Sequence, residues 1–253
     1  MNYTATLLSD NLFIGNPNNI FNSSIQVLIT AVDFSANDFT GPIPTNVFSL
    51  PRLESFGASK TCFSGSLPTA ICGCTTLKVL LMDGVTSGPS CQLKFDFIQT
   101  LDAYVSRLFM RSSGSCPNTF LGLKSLYLGN NSFSFLNTST FGETLEILTM
   151  SNNSLVSSFP SDLGAVQVLA IDENGFVGVI DLNCSKPIAL TKLFAGNNQL
   201  SGNLSRCSCM QNLNMLRVSY NSFTGSLDFV SSLSKIEELI VAGNLLTGTR
   251  WLF

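Results

Sequence analysis

The sequence predicts a right-handed solenoid of the α/β class. A parallel β-sheet would line its concave face, with irregular or 3-10 turns on its convex face. Three observations carry this. First, one frame recurs along the chain: L-K-S-L-Y-L-G-N-N-S-F from Leu123, L-E-I-L-T-M-S-N-N-S-L from Leu145, L-T-K-L-F-A-G-N-N-Q-L from Leu190 and L-N-M-L-R-V-S-Y-N-S-F from Leu213. Second, the spacing is regular. Asn11 and Asn244 stand ten steps apart, which gives about eleven repeats of roughly 23 to 24 residues, and a fixed self-similar period of that size marks a stack of coils. Third, apolar residues eight, five and three positions before an Asn alternate with polar ones, as in a short strand with one buried face.

Each slot of the frame has a physical task. The anchors Asn37, Asn131, Asn153, Asn174, Asn198, Asn221 and Asn244, with Asn11 ahead of them, form an expected Asn ladder. A short amide both donates and accepts hydrogen bonds. Stacked in register, it can satisfy backbone groups where the chain turns away from the strand. Thr61 and Val85 occupy the anchor slot in two repeats, and Ser113 is its weakest occupant. Four residues on, Gly15, Gly41, Gly65, Gly178, Gly202, Gly225 and Gly248 mark a tight bend.

No single repeat can bury its own apolar face, so neighbours must stack on it. That explains a chain that is 45% hydrophobic with 20 Phe and 11% charged residues, yet has no long apolar run. No window approaches the 18 or more residues of a spanning helix. The net charge is −3 and there is no basic run, which argues against nucleic acid as a partner. The chain has no His, so Ser-His-Asp and Cys-His chemistry cannot be assembled within it. No phosphate-binding glycine loop is present, and the sequence implies no cofactor and no catalytic residue. The chain reads as a non-enzyme. Acidic pairs such as Asp172-Glu173 read as solubilising surface.

The cysteines are Cys62, Cys72, Cys74, Cys91, Cys116, Cys184, Cys207 and Cys209. An even count suits a disulfide framework. Cys184 lies ten residues after its anchor, and Cys207 and Cys209 lie nine and eleven after the next. Equivalent positions in adjacent coils fall about 5 Å apart, within disulfide reach. Cys184 is therefore expected to pair with Cys207 or Cys209. The pairs among the first five stay open. The C-G-C and C-S-C spacings and the lack of His argue against a zinc site, so no metal is expected.

The whole chain, 1–253, reads as one domain of repeats with an irregular stretch at about 91–122. Ser113 stands 28 residues after Val85 and Asn131 only 18 after that, together two ordinary periods. A distorted repeat, with F-D-F-I-Q-T-L-D-A-Y-V-S-R-L as a short helix, fits this. Solenoids need polar caps. Here the first repeat begins at once and the last ends in Trp251-Leu252-Phe253, so the reading is of a fragment lacking both caps. Met1-Asn2-Tyr3-Thr4 lacks the features of a signal peptide.

N-D-F-T-G-P-I-P from Asn37, C-F-S-G-S-L-P from Cys62 and N-S-F-T-G-S-L from Asn221 resemble the plant-type leucine-rich repeat. That family includes the ectodomains of receptor-like kinases and receptor-like proteins and the secreted polygalacturonase inhibitors. The stretch from Cys62 to Cys91 is similar to cysteine-bearing variants in algal and protist leucine-rich-repeat proteins. The resemblance implies an extracellular or cell-surface domain that binds a protein, peptide or glycan on its concave face. It also admits a structural or adhesive wall protein, or a secreted inhibitor of a cell-wall hydrolase.

Two further sets of residues bear on that function. The solvent-facing slots of neighbouring strands collect Val79, Leu81, Arg107, Phe109, Arg111, Tyr127 and Ile147 into one expected patch, with Leu81, Phe109 and Tyr127 consecutive in a row. Aromatics and Arg tend to dominate interface energy. Asn-x-Ser/Thr sequons at Asn22, Asn137, Asn183 and Asn203 are candidate N-glycosylation sites, and others stand at Asn2, Asn130 and Asn152.

Overall fold

A computed structural model describes residues 3–18, 20–64, 68–85, 91, 122–131, 133 and 144–248. The chain forms two compact units, Met1–Phe133 and Ser134–Phe253. Unit 1 contains β1 (Ala5–Leu7), β2 (Ile14–Gly15), β3 (Ala31–Asp33), β4 (Asp38–Gly41), β5 (Ser55–Gly57), β6 (Cys62–Phe63), β7 (Val79–Leu81) and β8 (Ser125–Tyr127). Strands β1, β3, β5, β7 and β8 pair in that order, all parallel. Strands β2, β4 and β6 form a second, smaller parallel set. Short 3-10 helices at Thr45–Ser49 and Thr69–Gly73 carry the chain back toward the next strand.

Unit 2 repeats the plan with β9 (Ile147–Thr149), β10 (Val168–Ala170), β11 (Val177–Gly178), β12 (Lys192–Phe194), β13 (Gln199–Asn203), β14 (Met215–Arg217), β15 (Ser222–Gly225), β16 (Glu238–Ile240) and β17 (Leu245–Leu246). Strands β9, β10, β12, β14 and β16 form one parallel row, and β11, β13, β15 and β17 a second. The 3-10 helices are Leu204–Cys209 and Asp228–Ser232. No α-helix occurs among the described residues.

Strand pairing is in register, so one slot of the frame always meets the same slot of its neighbour. The middle residues Leu148, Leu169, Leu193 and Leu216 are fully buried, and their flanking residues are more exposed, with only the small Ala170 also buried. Burying one such leucine contributes about 1.5–3 kcal/mol. In unit 1 the slot two after the anchor stacks Phe13 on Phe39 at 5.8 Å and Phe39 on Phe63 at 6.0 Å. Phe34 meets Phe39 edge-on at 5.1 Å beneath them. In unit 2 the buried Phe176, Leu200 and Phe223 fill the same slot.

The Asn ladder forms as the spacing predicts. Asn198 donates from Nδ2 to the carbonyls of Ala195 and Gly196 in its own coil and of Ile171 in the preceding coil. Its Oδ1 accepts the Phe176 backbone N–H at 2.9 Å. Asn37, Asn131, Asn174, Asn221 and Asn244 repeat this pattern with the coil before them. Thr61 reaches two carbonyls with its hydroxyl instead. Asn153 shows the donor contacts within its own coil.

The residue just before each described anchor is in the left-handed region. Asp10, Ala36, Lys60, Asn130, Asn152, Glu173, Asn197 and Tyr220 all have φ between 51° and 57°, and Gly84 and Gly243 fill the slot elsewhere. This backbone costs an L-residue roughly 1–2 kcal/mol, and Asn tolerates it better than most. That is the physical source of the Asn-Asn pairs in the repeat.

One expectation is corrected. β7 pairs directly with β8, Leu81 opposite Tyr127. Asn131 donates to the Met82 carbonyl and accepts the Val85 N–H, 49 and 46 residues earlier. The repeat anchored on Ser113 therefore places no strand between them, and Phe109 does not separate Leu81 from Tyr127. Two periods of sequence make one step of the sheet here. Periodicity counts residues, so two periods preserve phase whether or not both add a strand. The helix expected within this stretch lies outside the described residues, as does Cys116.

Candidate strand-face binding surface

Of the predicted patch, Val79, Leu81 and Tyr127 come together in unit 1. Leu81 and Tyr127 are register partners, and Val79 lies two residues before Leu81 on the same face, opposite Ser125. All three are half-buried by their neighbours. Ile147 lies in unit 2 on β9, half-buried and paired with Val168. Arg107, Phe109 and Arg111 lie outside the described residues.

Unit 2 holds a cluster that the sequence reading passed over. The Arg217 guanidinium lies over the Phe194 ring, 5.1 Å from its centroid. Its Nε and Nη2 donate to the two carboxylate oxygens of Glu238, the second at 3.2 Å. Phe194, Arg217 and Ile240 occupy one slot on β12, β14 and β16, and Ile240 is 40% exposed. The hydrogen bond to Glu238 raises the Arg217 pKa, and the same bond lowers that of Glu238. A fixed cation on an aromatic face is attracted by the ring quadrupole. The result is an amphipathic platform with guanidinium N–H groups left over. Phe194 and Arg217 were visible as slot neighbours; Glu238 was not, because it sits one slot earlier on the next strand.

A second row of side chains braces the edge of this face. Ser35 Oγ accepts the Ser59 N–H, Ser59 Oγ the Asp83 N–H and Asp83 Oδ1 the Gly129 N–H, each one coil on. In unit 2, Asp172 Oδ1 accepts the Gly196 N–H at 2.8 Å and its Oδ2 accepts the Ser151 hydroxyl at 3.2 Å. Burial pushes the Asp83 and Asp172 carboxyls above their ordinary range, with the hydrogen bonds opposing it. Asp172 is thus a structural acceptor and not, as its sequence suggests, a solubilising charge.

The cysteines stiffen the coils. Cys184 is bonded to Cys209 with Cα atoms 5.7 Å apart, one of the two expected pairings. Cys62 is bonded to Cys91 at 5.2 Å, and Cys72 is also in a disulfide. Cys207 is not a bridge partner, nor is Cys74; both are free and buried. The Cys207 thiol is pushed up to about 12 by burial. These two pack as small apolar residues of the core. No group of three or more His, Cys, Asp and Glu among the described residues could hold a metal ion.

Stacked parallel three-residue strands, an Asn at each turn and a solvent-facing strand row define a leucine-rich-repeat protein. Residues 144–166 match the family model for the leucine-rich repeat. The Arabidopsis thaliana receptor-like protein 32 is 30% identical over 190 residues, 68% of this chain and 21% of the relative. Receptor-like protein 41 from Arabidopsis thaliana is 34% identical over 102 residues, 39% of this chain and 12% of the relative. The chain spans about a fifth or less of the length of these curated relatives. Among solved structures, a TDR receptor matches 96% of this chain and 39% of its own at 22% identity and a TM-score of 0.72. The plant peptide hormone receptor RGFR1 in complex with RGF2 matches 96% of this chain and 40% of its own at 18% identity, TM-score 0.64. The chain is thus a leucine-rich-repeat solenoid whose sequence is similar to plant leucine-rich-repeat proteins. No helix among the described residues is long and apolar enough to cross a membrane.

Proposed function

We propose that the chain is part of a receptor-like ectodomain that binds an extracellular peptide or protein segment on the strand face, without enzymatic activity. The observation that carries this is that each unit has its own outward row of half-exposed side chains on otherwise regular strands: Val79, Leu81 and Tyr127 in unit 1, and Phe194, Arg217 and Ile240 in unit 2. A solenoid does not need these side chains for its core, which the alternate residues fill. Placed outward they form contact area of the kind that carries interface energy. An extended peptide laid across the row would meet a new slot at each strand, about 4.8 Å on. The ladder and disulfides hold that row in place before a ligand arrives, which lowers the ordering cost of binding.

The receptor-like relatives and the RGFR1 complex support the same reading, as do the disulfides, which persist in oxidising compartments. The test is a screen of the secreted chain against a synthetic library of secreted-peptide sequences. A hit is expected to lose at least about tenfold in affinity on Tyr127→Ala or on Phe194→Ala with Arg217→Ala, since a hot-spot truncation costs about 2 kcal/mol or more. Lys186→Ala, on the return segment, is expected to leave it unchanged. Hits indifferent to both strand-face changes would overturn the assignment of the surface.

A further inference from the structure

The sequons differ in what surrounds their amide nitrogens. Asn183 is exposed at the start of the return segment in unit 2. Its Oδ1 accepts both the backbone N–H of Ser185 at 3.2 Å and the Ser185 hydroxyl at 2.5 Å. Both donors belong to the third residue of its own sequon. They hold the amide by its oxygen, and Nδ2 makes no hydrogen bond to another described residue. Asn203 starts the same way, its Oδ1 accepting the Ser205 N–H at 2.7 Å. Its Nδ2, however, rests on the next coil, 2.4 Å from where a Cβ on Gly225 would stand. Only the bare glycine leaves room for the amide, and a sugar on that nitrogen would meet the Gly225 backbone.

A polar hollow adjoins Asn183. Ser161, Asp181, Asn183, Ser185 and Arg206 line it, with the Cys184–Cys209 bridge at its wall. Arg206 and Asp181 form an ion pair across it at 3.1 Å. Exposed donors and acceptors in a concave setting suit the hydroxyl and amide groups of a sugar, which hydrogen-bond in both senses.

We propose that Asn183 carries an N-linked glycan whose first sugar sits in this hollow, and that Asn203 stays unmodified. The inference rests on the reading of the chain as extracellular. Asn183 Nδ2 attacks the anomeric carbon of a polyprenyl-diphosphate-linked oligosaccharide. The C–N bond forms as the C–O bond to phosphate breaks, the diphosphate leaves with the electron pair, and one Nδ2 proton passes to the transferase. The glycan then projects from the return segment, away from the strand row of unit 2.

The test is glycopeptide mass spectrometry on the full chain expressed behind a secretory leader in plant cells. Occupancy at Asn183 and none at Asn203 is expected. Asn183→Gln and Ser185→Ala should each remove one glycan. Enzymatic release from native protein should be at least tenfold slower than from denatured protein, and Arg206→Ala should erase most of that protection. A folded, secreted chain with an intact Cys184–Cys209 bridge and bare Asn183 would overturn the proposal, as would occupancy at Asn203. Equal release from native and denatured protein would overturn the seat in the hollow. Because the leader forces entry into the secretory pathway, these outcomes are separate from the extracellular reading. That reading fails instead if the protein isolated from its own source has its bridging cysteines reduced.

Discussion

At the scale of the residue, the anchor asparagines do more than end a strand. Each binds its own turn and the coil before it, so its amide is part of the interface between coils. Asn198→Ala removes that bridge and leaves the Phe176 N–H without its acceptor, while the Ile171 carbonyl keeps only the Asn174 amide. Leaving buried polar groups unsatisfied costs about 1–3 kcal/mol each. A loss of about 1–3 kcal/mol in urea unfolding is expected, and a loss below about 0.5 would contradict the ladder's role. Asp172 gives a second test. Burial raises its folded-state pKa, so the folded chain holds that proton more tightly than the unfolded chain does. This group's penalty is absent below its unfolded pKa and grows as pH rises through the folded one. Asp172→Asn keeps an acceptor for Gly196 and abolishes that penalty. Its urea midpoint relative to the parent should therefore be higher at pH 7 than at pH 3.5; a pH-independent difference would contradict the assignment. The Asn slot was legible because an amide at fixed spacing has few other uses. The role of Asp172 was not, because a carboxylate facing water and one facing the next coil's N–H look alike in sequence.

At the scale of the element, strand slots and the Cys184 pairing followed from spacing alone, because register makes equivalent positions neighbours. The choice of Cys209 over Cys207 did not follow. It depends on which residue of the 3-10 helix Leu204–Cys209 faces the core, and Cys207 does. The count of coils was also beyond the sequence, since the 46 residues from Val79 to Ser125 preserve phase whether or not they add a strand. Burial raises the thiol pKa of Cys74 and takes that of Cys207 to about 12, so neither is a thiolate at neutral pH. Alkylation mapping at pH 8 should therefore find both unmodified in the native chain and both modified in denaturant without reductant. Modification of Cys184, Cys209, Cys62 or Cys91 under those conditions would contradict the bridges.

At the scale of the whole molecule, each unit offers a strand face whose inward residues make a core and whose outward residues are left for recognition. Of the patch drawn from sequence, Val79, Leu81 and Tyr127 meet in unit 1, and the cluster in unit 2 was not part of it. The Phe194–Arg217–Glu238 cluster escaped because it depends on three strands in register, a relation that no single repeat displays. A guanidinium stacked on a ring and paired with a carboxylate is suited to orient a ligand through its remaining N–H groups. The central claim, that the strand face is the recognition surface, is tested most directly by hydrogen exchange on the chain with and without a peptide found in the library screen. The account predicts slowed exchange at β7 and β8, or at β12 and β14, and little change in the return segments at Thr45–Ser49 and Leu204–Cys209. Protection confined to those return segments, with the strands unchanged, would contradict it.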